Sequence, residues 1–423
     1  PITLNSLGKL LGSRGEKQAS EAVLKAVLSI QREMMADDHP ATLETFGSLA
    51  KVLQEQGKGL EAELMWRTAL EGWRKRGKDD EPDRLYALRG LAESLESQSK
   101  WSEAEEVWRD SLSLWRKKGG IEEKQSMFTL RSLGLALEAA RKWPEAESVY
   151  REALTISRSK GDEDPEALVD LDRVVRALTA QKEFDEAQQL LDRVLTPAFV
   201  VKPASVNLLV QRVNVMGRQG RWREAAADAA LALEHQLTDH YRYHTLAALL
   251  AMTGDRPAYE QVCKRIVTKF ADSTNPYIAE RIAQDNLLLP NSGADLELMD
   301  KLADKAVTAG NGTDDLPYFQ ACKAMSHYRL GHFSEAIAWG KKATSGSSEF
   351  SQAKAYAVMA MAHWQLEQRN EARAALGEGD ALAPPFSHER TDADLGESWV
   401  AWLMARISLD EATNLIEGGG NAP

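Results

Sequence analysis

A chain of 423 residues is long for one compact core, so either several domains or an elongated array of repeats is expected. Apolar residues make up 43% and charged residues 27%, with a formal net charge of −12, which leaves no strongly basic surface for nucleic acid. Cys263 and Cys322 are the only cysteines, which excludes a disulfide framework and a thiolate metal site and suits a reducing, cytoplasmic compartment.

In chain order, the first helical pair is expected before the acidic turn "DDHP", with a Glu-Ala pair at Glu21. Within it "GSRGEK" at 12–17 lacks the spacing and the Ser/Thr of a phosphate loop and reads as a turn between helices. The chain begins at Pro1 with no charged-then-apolar leader, and is expected to be a piece of something longer. The next pair shows the pattern most clearly. Phe46, Leu49, Ala50 and Leu53 form one helical stripe, and after Gly57 a second stripe of Ala62, Trp66 and Ala69 faces it. The same arrangement returns as Leu88, Leu91, Ala92 and Leu95 with Ala104 and Trp108. It returns again as Leu130, Leu133, Gly134 and Leu137 with Ala146 and Tyr150. Small residues stand opposite large rings, as close helix crossings require.

Glu-Ala pairs mark the second helices at Glu21, Glu61, Glu103, Glu145, Glu186, Glu224, Glu335, Glu371 and Glu411. The gap after Glu224 holds two weaker units, one with Ala258 at the anchor and one around "LELMDKLADKAV". About eleven helical hairpins result. Trp66, Trp108 and Tyr150, 42 apart, are expected in the core, while Trp73 and Trp115 are the more exposed candidates, although packing on the next unit is favoured for them too. The Glu run at 103–106 and the basic run at 116–118 lie at opposite ends of one helix and complement its dipole.

This pattern resembles the tetratricopeptide repeat, whose unit is about 34 residues. The longer units, with "DDHP", "DDEP" and "DEDP" placing Pro at the first turn of the next helix, are similar to those of kinesin light chains. Segments from "YRYHTLAALLAMTGDRPAYEQVCKRI" to "ESWVAWLMARISLDEATNLI", roughly 238–416, resemble the C-terminal repeat region of serine/threonine protein kinases of planctomycete- and verrucomicrobium-type bacteria. The expected fold is therefore all-α, a right-handed superhelical solenoid. Kinesin-light-chain-like units occupy 1–199, and shorter, more degenerate units continuous with them occupy 200–423. No kinase catalytic motif is present, and a catalytic domain would lie outside these residues.

In such a solenoid the first helix of each pair lines the concave face. Counting back from the anchors places Tyr86, Arg89 and Glu93 there, then Phe128, Arg131 and Leu135, then Asp172, Arg173 and Arg176. Arg89, Arg131 and Arg173 would form a guanidinium ladder suited to carboxylates or phosphates, unless Glu93, Glu138 and Asp172 pair with them. Kinesin light chains carry an Asn before the Leu-Ala of the first helix, where this chain has Ser48, Gly90, Ser132 and Arg173.

His240 and His244, four apart on a helix, lack a third metal ligand and read as a plain helix face. Arg212 falls where the repeat expects Leu, so either the register slips or a charge enters the stack. The longest uncharged apolar run, "HTLAALLAMTG", is too short to span a bilayer. These features point to a non-catalytic scaffold that holds a peptide or partner protein, acidic or phosphorylated if the ladder is free, with no cofactor, metal or catalytic residue. A regulatory portion of a bacterial kinase is the alternative.

Overall fold

The structure is a computed structural model describing residues 2–76, 82–118, 124–384 and 394–418. Among the described residues it contains twenty-one α-helices and no strand. Two compact units result, Pro1–Leu190 and Leu191–Pro423.

The first unit holds the pairs α1 (Ile2–Ser13) and α2 (Lys17–Met34), α3 (Pro40–Glu55) and α4 (Gly59–Lys75), and α5 (Pro82–Ser97) and α6 (Trp101–Lys118). The pair α7 (Lys124–Ala139) and α8 (Trp143–Ser157) follows, then α9 (Pro165–Ala180) with the start of α10 (Phe184–Val194). Pro40, Pro82 and Pro165 each open a first helix, where a missing N–H costs nothing. Asp164 caps α9 by accepting from the Glu166 N–H at 2.9 Å. Inside each hairpin the chain reverses through one left-handed residue. Gly57 (φ 78°) fills that place in one pair, while Ser99, Arg141 and Lys182 (φ 59°, 58° and 66°) hold it in the next three at the steric cost of a side chain.

The core follows the sequence pattern closely. Trp66, Trp108 and Tyr150 are fully buried on the second helices, and each lies against a helix that leaves room for it. A Cβ on Gly90 would meet the Trp66 ring at 2.3 Å, and one on Gly134 would meet the Tyr150 ring at 2.2 Å. Trp108 donates to Glu96 Oε1 at 2.7 Å and Tyr150 to Glu138 Oε2 at 3.0 Å, so two of the three rings also satisfy their polar atom. Trp73 and Trp115 are only 1% and 7% exposed, so both pack inside the stack.

The charge runs do more than complement a dipole. Glu63 accepts from Arg67 on its own helix and from Lys100 at the next turn, 2.7 Å away. Glu105 does the same with Arg109 and Lys142, and Glu21 with Lys25 and Lys58. The Lys25 ammonium, then that of Lys58, hold the Glu21 carboxyl down to about 2. Glu21 thus occupies the place of Glu63, not of the anchor Glu61. The true anchor of the first pair is Ala19, two residues into α2, because α2 begins at Lys17 as α4 begins at Gly59.

The second unit continues with α11 (Val206–Arg218) and α12 (Trp222–His235), then α13 (His240–Thr253) and α14 (Arg256–Phe270). Then come α15 (Pro276–Leu287) and α16 (Leu296–Ala309), α17 (Leu316–Arg329) and α18 (Phe333–Ala343), and α19 (Glu349–Gln365) and α20 (Arg369–Leu382). Arg212 keeps the register: it enters the stack as a charge, bound through two nitrogens to Asp228 at 2.5 and 2.8 Å and to Asp192 at 2.9 Å. The chain then departs from the expected pairing. Glu411 does not start the second helix of an eleventh hairpin, because Trp399–Glu417 is one continuous helix, α21. Among the described residues, ten hairpins and a single closing helix stand where about eleven hairpins were expected.

Candidate partner-binding face

The nine groove residues expected from the sequence all lie on the first helices α5, α7 and α9. Their side chains divide into two kinds. Tyr86 (47% exposed), Phe128 (36%) and Leu135 (43%) are open, and Val169 on α9 (47%) extends the same stripe. The sequence reading missed Val169 because Asp172 and Arg173, one turn later, drew attention by charge. Tyr86 stands edge-on to Trp66 at 5.5 Å and Phe128 edge-on to Trp108 at 5.9 Å, so each exposed ring is braced by a core ring.

The arginines are already engaged. Arg89 donates to Glu93 at 2.7 Å, and its guanidinium lies 4.0 Å from the Phe128 ring centroid. Arg131 binds fully buried Asp170 through two parallel hydrogen bonds of 2.7 and 2.8 Å. Arg176 donates to Glu138, the residue that also accepts from Tyr150. Arg173 lies 3.7 Å from Asp170 and 5.7 Å from the centroid of Tyr150. Because α9 starts 41 residues after α7, Asp172 rather than Arg173 takes the place of Arg131, and the arginines lie in internal ion pairs. Asp170, their principal carboxylate, has no signal in the sequence beyond its place on an otherwise apolar stripe.

Towards the start of the unit the same face holds a cavity of about 410 Å³ between α1, α3, α4 and α5, where Trp66 and Tyr86 meet Lys51, Glu55 and Asp83. Ser48, at the position of the kinesin-light-chain Asn, donates to its own helix at Glu44 O, 2.9 Å away.

The corresponding first-helix positions of the second unit are Tyr241, Arg281, Tyr318 and Lys354; Tyr241 is 44% exposed, whereas Lys354 is buried. α21 packs on α11, α13 and α19. Trp399 stacks on Trp222 at 6.3 Å and donates to Asn214 at 3.0 Å; Met404 accepts from Gln284 at 3.7 Å; Glu411 pairs with Arg329. Beneath it lies a buried polar cluster. His244 bonds Asp285 at 2.7 Å, Lys354 donates to Gln284, and Arg281 donates to His240 Nδ1 at 2.9 Å while lying 4.9 Å from the Tyr241 ring. Glu280 is fully enclosed, and burial pushes its carboxyl up to about 7 against the pull of Lys354, His244 and Arg281. Burial likewise lowers the Lys354 ammonium. His244 is thus held by a carboxylate, and no group of three or more metal-binding side chains occurs among the described residues. No described helix is long and apolar enough to cross a membrane.

Tetratricopeptide-repeat family models match residues 2–41, 41–117 and 129–164. The first unit carries tetratricopeptide repeats. Among solved structures, this chain is similar to a Podosopora anserina protein with kinesin-light-chain-type, nearly identical tetratricopeptide-like repeats. The identity is 23% and the TM-score 0.41, over 45% of this chain and 92% of that one. It is also similar to BtubC (BKLC) from P. vanneervenii, with 19% identity and a TM-score of 0.40 over 52% and 91% of the two chains. A tetratricopeptide repeat protein from Parabacteroides merdae matches 67% of this chain and 99% of its own, at 13% identity and a TM-score of 0.44. No curated protein matches the chain.

Proposed function

We propose that the protein is a non-catalytic interaction scaffold of the cytoplasm, and that a peptide segment of a partner protein docks on the inner face of the first unit. The observation that carries this reading is the stripe of Tyr86, Phe128, Leu135 and Val169, exposed side by side on three successive first helices. Apolar side chains scattered singly on a surface need no explanation, whereas contiguous ones on a concave face mark interaction sites. An acidic or phosphorylated ligand would have to draw Arg131 away from the fully buried Asp170 and Arg176 away from the half-buried Glu138, breaking both pairs. A second reading, a regulatory part of a larger kinase chain, draws support from the second unit, where α21 covers buried charges on the inner helices.

The test is affinity capture from a lysate of the source cells with the wild-type protein and with a Phe128→Ser/Leu135→Ser variant. A defined set of proteins retained by the first and lost by the second is expected, with both proteins equally folded by circular dichroism. Identical retained sets would refute docking on this face.

A further inference from the structure

We infer that the second unit holds a binding site for a small zwitterion with an apolar side chain, the class of the apolar amino acids, where α11 and α13 meet the start of α21. It is independent of the docking reading above. A cavity of about 250 Å³ lies there, walled by Val213, Ala232, Trp399 and Val400 and edged by Asn214, Arg242 and Glu397. Pockets for drug-sized ligands begin at about 300 Å³, so this one admits only a small molecule.

The polar groups around it keep hydrogen-bonding capacity that the fold does not use. The Arg242 side chain is only 13% exposed, and its Nε donates to Gln236 at 2.8 Å and lies 3.4 Å from Asp239. Its Nη1 and Nη2 make no hydrogen bond among the described residues. Asp239 is engaged elsewhere as the cap of α13, accepting from the Tyr241 N–H at 2.9 Å. Arg212, Arg218 and Arg329, enclosed to a similar degree in the same unit, each set two nitrogens on one carboxylate. Burial lowers the Arg242 pKa and Asp239 only partly opposes it, as expected for a cation whose charge is incompletely answered. An open fork of this kind fits a carboxylate. Asn214 adds a donor beside it: its Oδ1 accepts from Trp399 Nε1 at 3.0 Å, which fixes the amide's orientation and leaves Nδ2 over. Glu397, exposed on the segment that leads into α21, forms no ion pair among the described residues and can answer an ammonium. The donors therefore come from α11 and α13 and the acid from the start of α21, with aliphatic and indole walls around them. A plain anion would leave Glu397 opposed, and a plain cation would meet Arg242.

The experiment is calorimetric titration of the intact protein with the apolar L-amino acids, then with the deaminated and decarboxylated analogues of the one that binds, isocaproate and isoamylamine in the case of leucine. At least one amino acid is expected to bind and, by mass action, to raise the melting temperature of the second unit. Each analogue should bind about tenfold more weakly or worse, the loss that follows removal of a charge-assisted hydrogen bond. Arg242→Gln should weaken the amino acid by a similar factor, and Glu397→Gln should remove its advantage over the deaminated analogue. Glu397 is exposed, so its variant and the analogue comparison decide the matter even where Arg242→Gln disturbs folding. No binding by any of the amino acids, equal binding of the deaminated analogue, or an affinity unmoved by both variants would each overturn the inference.

Discussion

The two units use the same hairpin, and only the second packs an extra helix against its first helices. In the first, Tyr86, Phe128, Leu135 and Val169 remain open. In the second, α21 packs on α11, α13 and α19 with Leu403, Ala405 and Leu409 fully buried, while Tyr241 on α13 stays 44% exposed. The residues facing inward explain why. α7 carries Arg131 and Leu135 where α17 and α19 carry Ala321, Met325, Ala357 and Met361, and small or flexible side chains admit a helix that bulky ones would exclude. Covering the face encloses Glu280, Asp285 and Lys354 with it, and Glu280 Oε1 and Asp285 Oδ2 have no hydrogen-bond partner among the described residues. An open repeat face and a partly covered one differ by a few side chains, not by the repeat.

Deleting residues 399–423 tests this contrast most severely. It should abolish cooperative unfolding of the second unit in calorimetry while leaving the first unit's transition in place; an unchanged second transition would show that α21 is not part of that core. Trp108→Ala should cost the first unit about 3–5 kcal/mol in urea unfolding, the range for large aromatic truncations, because the ring fills the stack and satisfies Glu96.

The arginines separate next. Arg131→Ala strands the fully buried Asp170 and should cost about 2–4 kcal/mol, whereas Arg89→Ala breaks an exposed pair and should cost less than about 1 kcal/mol. Equal losses in chemical denaturation would contradict the pairing described.

pH distinguishes the units as well. Glu280 is protonated in the folded second unit up to about 7 but ionises near 4.5 when unfolded. Between those values the folded state binds the extra proton, so stability should fall as pH rises through that window, by at most about 3 kcal/mol. Glu280→Gln should flatten this decline in thermal scans at pH 4.5 and 7.5; a slope that persists would assign it to other groups. The smallest effect is expected at the hairpin turns. Arg141→Gly relieves a left-handed side chain and should raise the first unit's stability by no more than about 1 kcal/mol.

Much of the first unit's architecture could be read without coordinates. The ring positions, the glycines opposite them and the prolines at helix starts are local or one-repeat features, and each fell where the period placed it. The anchor at Glu21 was read two residues late because a second Glu, the clamp equivalent to Glu63, also precedes an Ala. The helix that carries each expected groove residue was legible, but not the pairing of its charges: nothing near Arg131 in the chain announces Asp170, 39 residues on.

By itself the sequence determined the repeat, its period and its core rings, because each follows from helical periodicity and small-against-large packing within a few dozen residues. The tertiary structure alone decided which charges are free and which face is open. Those outcomes depend on residues far apart in the chain, such as Trp399 stacking on Trp222 and Glu411 pairing with Arg329. Burial then sets what each charge costs, and burial is a property of the assembled stack rather than of any one repeat.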